Sequence, residues 1–130
     1  CGSGILSIVA KKLGANIVEA IDLDPVAVKV AKENIEYNHL TGQIVVKEGN
    51  LLNESIGLYD IVVANIMADA IIMLIQSVCL FMKKDGIFIA SGIISDKLGE
   101  VVFELKKHNF VITTLLQKGE WNAIVAKQGE

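Results

Sequence analysis

The sequence predicts an α/β protein with a doubly wound, mostly parallel sheet that ends in an antiparallel hairpin. Three observations carry this. Short apolar runs rich in Ile and Val alternate with segments of helical periodicity, the pattern of strands joined by crossover helices. A glycine turn, Cys1-Gly2-Ser3-Gly4, opens the first helix, and a carboxylate follows about twenty residues on, in Ile21-Asp22-Leu23-Asp24-Pro25. The last two apolar runs are joined only by Gln117-Lys118-Gly119-Glu120, too short for a helical crossover.

Leu6, Val9, Ala10 and Leu13 recur at i, i+3, i+4 and i+7, so residues 4–13 read as a helix. Gly14 can end it in the left-handed conformation. Residues 16–21 follow as a strand. Asp24 and Pro25 read as the cap and first residue of a second helix running to about residue 38, with Lys29/Glu33 and Lys32/Glu36 turned to water. Residues 44–47 and 59–64 are short strands separated by a turn-rich stretch over 49–57. Residues 68–82 form a helix with almost no polar face and are expected to be largely buried. Lys83-Lys84-Asp85-Gly86 turns into a strand over 87–91; Leu98, Val101, Val102 and Leu105 mark an amphipathic helix capped by Ser95; strands over 110–116 and 121–126 form the hairpin. A glycine turn of this kind normally follows a buried strand, and none precedes residue 1. The expectation is one domain over residues 1–130 whose first strand is missing upstream, at the sheet centre between the strands at 16–21 and 59–64.

Composition narrows the function classes. Of 130 residues 52% are hydrophobic and only 5% aromatic, which suits strands covered on both faces by helices. The net charge of -3, with no basic cluster larger than a pair, argues against nucleic acid as the main partner. Cys1 and Cys79 lie in no C-x-x-C pair and read as reduced thiols of a cytoplasmic protein, Cys79 in the core. Residues 61–82 are long and apolar enough to suggest a membrane span, yet they contain Asn65, Asp69, Gln76 and Ser77 and read better as a strand, a loop and a helix.

Candidate site residues fall at the predicted strand ends, where ligands of open α/β sheets bind. Gly2 and Gly4 let backbone amides approach a ligand closely, and Asp22 can accept both hydrogen bonds of a ribose diol. Asp24 competes for that role but has a sufficient duty as a helix cap. Asn50, in Gly49-Asn50-Leu51, can donate to and accept from an adenine edge, or it is a turn asparagine. Asn65 follows Ile61-Val62-Val63-Ala64 and can orient an acceptor amine, or it caps the next helix. His39 and His108 lie in predicted loops without a nucleophile or metal-ligand spacing, and read as surface residues.

In that order and spacing, Cys1-Gly2-Ser3-Gly4-Ile5-Leu6, Ile21-Asp22-Leu23-Asp24-Pro25 and Val62-Val63-Ala64-Asn65-Ile66-Met67-Ala68 resemble the ribosomal protein methyltransferases that modify protein eleven of the large subunit. The resemblance covers nearly the whole chain and is most specific at Val-Ala-Asn-Ile. It implies a class I, Rossmann-like fold that uses S-adenosyl-L-methionine to methylate a ribosomal large-subunit protein in the cytoplasm. Gly2 and Gly4 match the cofactor loop, Asp22 the carboxylate on the ribose hydroxyls, and Asn65 the asparagine of the methyl-transfer site. Asn50 matches the adenine side loosely, since related enzymes often have an acidic residue there. The family's strand before the glycine loop and its upstream substrate-recognition region have no counterpart in the sequence.

Methyl transfer from a sulfonium is an in-line displacement with an activated leaving group, so alignment of the acceptor matters more than a strong base. The amide carbonyl of Asn65 can accept the hydrogens of an unprotonated amine and aim its lone pair. Related enzymes acting on planar amides or bases carry Asn/Asp-Pro-Pro-aromatic here; Asn65-Ile66-Met67-Ala68 has neither prolines nor an aromatic ring, which points to a lysine side chain or a chain N-terminus. Two rivals stand beside this: a dinucleotide-dependent oxidoreductase, against which the missing third glycine of Gly2-x-Gly4-x-x-Ser7 argues, and an inactive truncated cofactor-binding scaffold.

Overall fold

A computed structural model describes residues 1–50 and 57–130. The chain divides into two compact units, Cys1–Ser55 and Ile56–Glu130. Most of the turn-rich stretch expected over 49–57 lies outside the described residues.

The first unit is a βαβ arrangement preceded by a helix: α1 (Ile5–Lys12), β1 (Val18–Asp22), α2 (Pro25–Tyr37) and β2 (Ile44–Glu48). The two strands are parallel, with Val18 opposite Ile44 and Asp22 opposite Glu48. Asp24 caps α2 by accepting from the Val26 amide at 2.9 Å, and Pro25 is the first helical residue, as expected. Gly14, with φ of 106°, follows the last turn of α1. Lys29 pairs with Glu33 at 3.9 Å, whereas Lys32 and Glu36 form no ion pair among the described residues. The core consists of Ile8, Val18, Ala20, Ile35 and Ile44. The expected first helix is present; it buries Ile8, beside its buried cap residue Gly4, while Leu6, Val9 and Leu13 are 46%, 45% and 83% exposed. Gly4 rests close against Ala31 of α2.

The second unit holds β3 (Tyr59–Asn65), α3 (Ala68–Val78), a single turn of 3₁₀ helix (Cys79–Phe81), β4 (Met82–Ile94), α4 (Ser95–Lys107), β5 (Phe110–Lys118) and β6 (Trp121–Gln128). Its strand order is β3-β4-β6-β5, with β3 parallel to β4 and the other pairs antiparallel. From β4 the chain crosses through α4 to the outer position and returns by the hairpin, so β6 slots between β4 and β5. The turn is tight, Lys118 lying opposite Trp121, and Gly119 has φ of 61°. Phe88, Ile71, Ile75, Ile93, Leu105, Ile124, Val78 and Val101 are the large fully buried side chains.

Segment 61–82 thus folds as strand, loop and helix, and no helix among the described residues is long and apolar enough to cross a membrane. Three details depart from expectation. Helix α3 stops at Val78 rather than at 82, and it buries one face (Ala68, Ile71, Leu74, Ile75, Val78) while Met73 stays exposed. Cys79 in the 3₁₀ turn is half-buried instead of core. Ser95 does not cap α4; Ile94 occupies the cap position, and the Ser95 hydroxyl donates to the Glu120 carbonyl and accepts from Asn122. The turn at Lys83–Gly86 survives as an excursion within β4, whose pairing with β3 jumps from Met82/Tyr59 to Ile87/Ile61.

Candidate functional site

Asp22 ends β1, and its carboxylate has more to do than the sequence suggests. Oδ2 accepts from the Cys1 nitrogen at 2.8 Å and from the Gly2 amide at 2.9 Å, while Oδ1 accepts from the Asp24 amide at 3.0 Å. Asp22 therefore does have a local structural duty: it fastens the glycine turn to the strand end. Partial burial pushes its pKa up, but the hydrogen bonds from the Cys1 nitrogen, the Asp24 amide and the Gly2 amide outweigh this and hold it at about 2, below the ordinary 3.8. The group is a carboxylate at neutral pH and acts only as an acceptor.

The turn is held from a second side by residues that the sequence did not mark. Asn34 on α2 donates to the Ser3 carbonyl at 2.8 Å. Ala31, one helical turn earlier on the same face, lies beneath Gly4, where an added Cβ would sit 3.2 Å from the alanine Cβ and 3.3 Å from its Cα. With φ of 81° as well, this position needs glycine for both conformation and space. Gly4 is also the cap residue of α1 and offers no side chain to its first amides, so these stay available to a ligand. The only signal for this clamp was a small residue and an amide three apart on a predicted helix, a pattern too common to single out.

Asn50 is exposed just beyond β2, and the preceding residue ties that loop to the site: the Gly49 amide donates to the Asp22 carbonyl at 2.9 Å. Gly2, Gly4, Asp22 and Asn50 are thus gathered at the carboxyl ends of β1 and β2.

Asn65 belongs to the second unit. It is the last residue of β3, lies opposite Ser91 of β4 and is exposed. The helix-cap explanation does not apply, because Met67 occupies the cap position of α3 and no side chain caps that helix. Among the described residues the Asn65 amide makes no hydrogen bond. His39 is exposed at the end of α2; His108 ends α4 with Nδ1 3.1 Å from the Glu104 carbonyl. Neither adjoins these groups within its unit.

Parallel strand pairs joined by helices in each unit, with an antiparallel hairpin whose last strand lies between β4 and β5, are the architecture of a Rossmann-like methyltransferase of class I. A crystal structure described as ribosomal protein L11 methylase from Lactobacillus delbrueckii subsp. bulgaricus superposes with a TM-score of 0.96 at 32% identity, over 99% of this chain and 67% of that one. A putative methyltransferase from Thermoplasma acidophilum shares the fold, with a TM-score of 0.81 at 16% identity over 99% of this chain and 65% of that one. The family described as ribosomal protein L11 methyltransferase matches residues 1–129, and the chain belongs to that family. Curated relatives of that name include one from Alkaliphilus metalliredigens, 49% identical over 127 residues, and one from Clostridium perfringens, 51% identical over 126 residues. These alignments cover 98% and 97% of this chain, which spans about 40% of the length of either relative. None of these comparisons supports the dinucleotide-dependent alternative.

Proposed function

We propose that residues 1–130 carry the cofactor-binding and methyl-transfer residues of an S-adenosyl-L-methionine-dependent N-methyltransferase. Its substrate is an amino group of ribosomal protein L11, on a lysine side chain or at the chain N-terminus, and it works in the cytoplasm. The observation that carries the reading is the bond between the Gly2 amide and Asp22, which joins the two most informative sequence features into one structure at a strand end. Family membership implies the cofactor, and the groups present suit a nucleoside. A carboxylate has about four lone-pair sites, of which three are used here, so Oδ1 of Asp22 retains room for a hydroxyl donor.

In this reading Asp22 accepts from the ribose, the Gly2-Ser3-Gly4 backbone lies against the ligand, and Asn50 offers a donor and an acceptor to the adenine edge. S-adenosyl-L-methionine, when bound, supplies a methyl group already activated on a sulfonium. Asn65 accepts hydrogens from the neutral acceptor amine and aims its lone pair, a task of orientation rather than proton abstraction. The absence of prolines and of an aromatic side chain in Asn65-Ile66-Met67-Ala68 favours an aliphatic amine over a planar acceptor.

The test is to incubate the natural full-length chain, and its Asn65→Ala variant, with S-adenosyl-L-methionine and ribosomal protein L11. Mass spectrometry of the substrate should show added methyl groups on lysine or the N-terminus. The variant should lose rate at saturating cofactor while keeping its fold and its affinity for S-adenosylhomocysteine. Methylation elsewhere, or an Asn65→Ala enzyme of normal rate, contradicts the assignment.

A further inference from the structure

Strand β4 carries a bulge at the level of Asn65. It pairs with β6 at Ala90/Ile124 and again at Ile93/Asn122, so Ser91 and Gly92 together face the place of Ala123 alone. On its other side, Ser91 is the partner of Asn65 in the parallel ladder. Gly92 adopts φ of 78°, and a Cβ built on it would lie 2.6 Å from Oδ1 of Asn65 and 3.3 Å from the carbonyl oxygen of Ile66.

A φ of 78° strains any L side chain at residue 92 whatever the space, and the close approach of the Asn65 amide adds a separate obstacle, because any L-residue brings the same Cβ. Of the two groups in its path, the Ile66 carbonyl is fixed backbone, whereas the Asn65 amide can rotate away. A side chain at residue 92 would therefore spend its volume on turning Asn65.

We propose that Gly92 is a positioning residue for methyl transfer: by lacking a side chain it leaves open the rotamer in which Asn65 presents its amide to the acceptor amine. This rests on the reading of Asn65 given above. Gly92 touches neither substrate nor cofactor in this account and acts only through Asn65. The bulge serves to bring a residue without a Cβ to the end of β3.

A double-mutant cycle tests this in the natural full-length chain, with Gly92→Ala, Asn65→Ala and the double variant compared for kcat at saturating S-adenosyl-L-methionine and ribosomal protein L11. Gly92→Ala should lower kcat by about tenfold or more with S-adenosylhomocysteine affinity within about threefold of wild type, and should have almost no further effect once Asn65 is alanine. An equal loss in both backgrounds assigns the effect to backbone strain and overturns the proposal. A normal rate for Gly92→Ala beside an impaired Asn65→Ala overturns the positioning role alone, whereas a normal rate for Asn65→Ala overturns the reading of Asn65 beneath it. If Gly92→Ala does not fold, thermal unfolding of the double variant decides: recovery on removing the Asn65 side chain supports the collision described, and no recovery refutes it.

Discussion

Replacing Asp22 with alanine separates its hold on the glycine turn from the ribose contact proposed for it. In the free protein Asp22 anchors the glycine turn through Oδ2 and the start of α2 through Oδ1, and only Oδ1 has acceptor capacity to spare. In the proposed contact one ribose hydroxyl gains a hydrogen bond to a charged group without displacing an existing donor, an interaction of about 1.5 to 3 kcal/mol. Asp22→Ala should weaken S-adenosylhomocysteine binding by roughly 10- to 150-fold in isothermal calorimetry. The loss can also come from a loosened turn, and a ligand lacking the ribose hydroxyls distinguishes the causes. Against wild type the 2′,3′-dideoxy analogue should bind weakly; against Asp22→Ala the two ligands should bind alike. If Asp22→Ala weakens both ligands equally, the carboxylate works only through the turn. Unchanged affinity in a folded variant refutes the ribose assignment altogether. Asp24→Ala is the control: it loses the bond to the Val26 amide, so stability should fall by about 1 kcal/mol while ligand affinity stays within about threefold.

Asn34→Ala removes the bond to the Ser3 carbonyl and should weaken S-adenosylhomocysteine binding by about 3- to 10-fold, the worth of one neutral hydrogen bond; an unaltered dissociation constant would show that the turn does not need this support. The depressed pKa of Asp22 makes a contribution to stability that is complete above its unfolded value of 3.8 and is lost as pH falls through about 2. Between pH 5 and pH 2 the free energy of unfolding in urea should drop by about 2 kcal/mol more in wild type than in Asp22→Asn, and parallel curves would disprove the coupling. Asn122 is 2% exposed and ties the start of β6 to the Ile93 carbonyl at 3.1 Å; Asn122→Ala should cost about 1 to 3 kcal/mol in chemical unfolding, and a loss below the error of the measurement would mean that solvent replaces the bond.

Much of this protein is written in short-range pattern. The alternation of strands and helices, the Asp24-Pro25 start of α2, the Gly14 stop and the tight hairpin at Gly119 depend on residues within a turn or two of each other, whose preferences act before any tertiary contact forms. The positions of Asp22 and Asn50 at or just past strand ends follow from the same reading, because a strand end is a local property. Contacts between residues twenty or more apart are a different matter. Periodicity showed that α1 is a helix but not that Gly4 rests on Ala31 of α2, 27 positions on. The bond from Gly2 to Asp22, the support of Ser3 by Asn34 and the approach of Gly92 to Asn65 span 20, 31 and 27 positions of sequence. No local preference encodes them. They exist only once helices and strands have docked, since only then does side-chain volume, or its absence at a glycine, decide which polar groups meet.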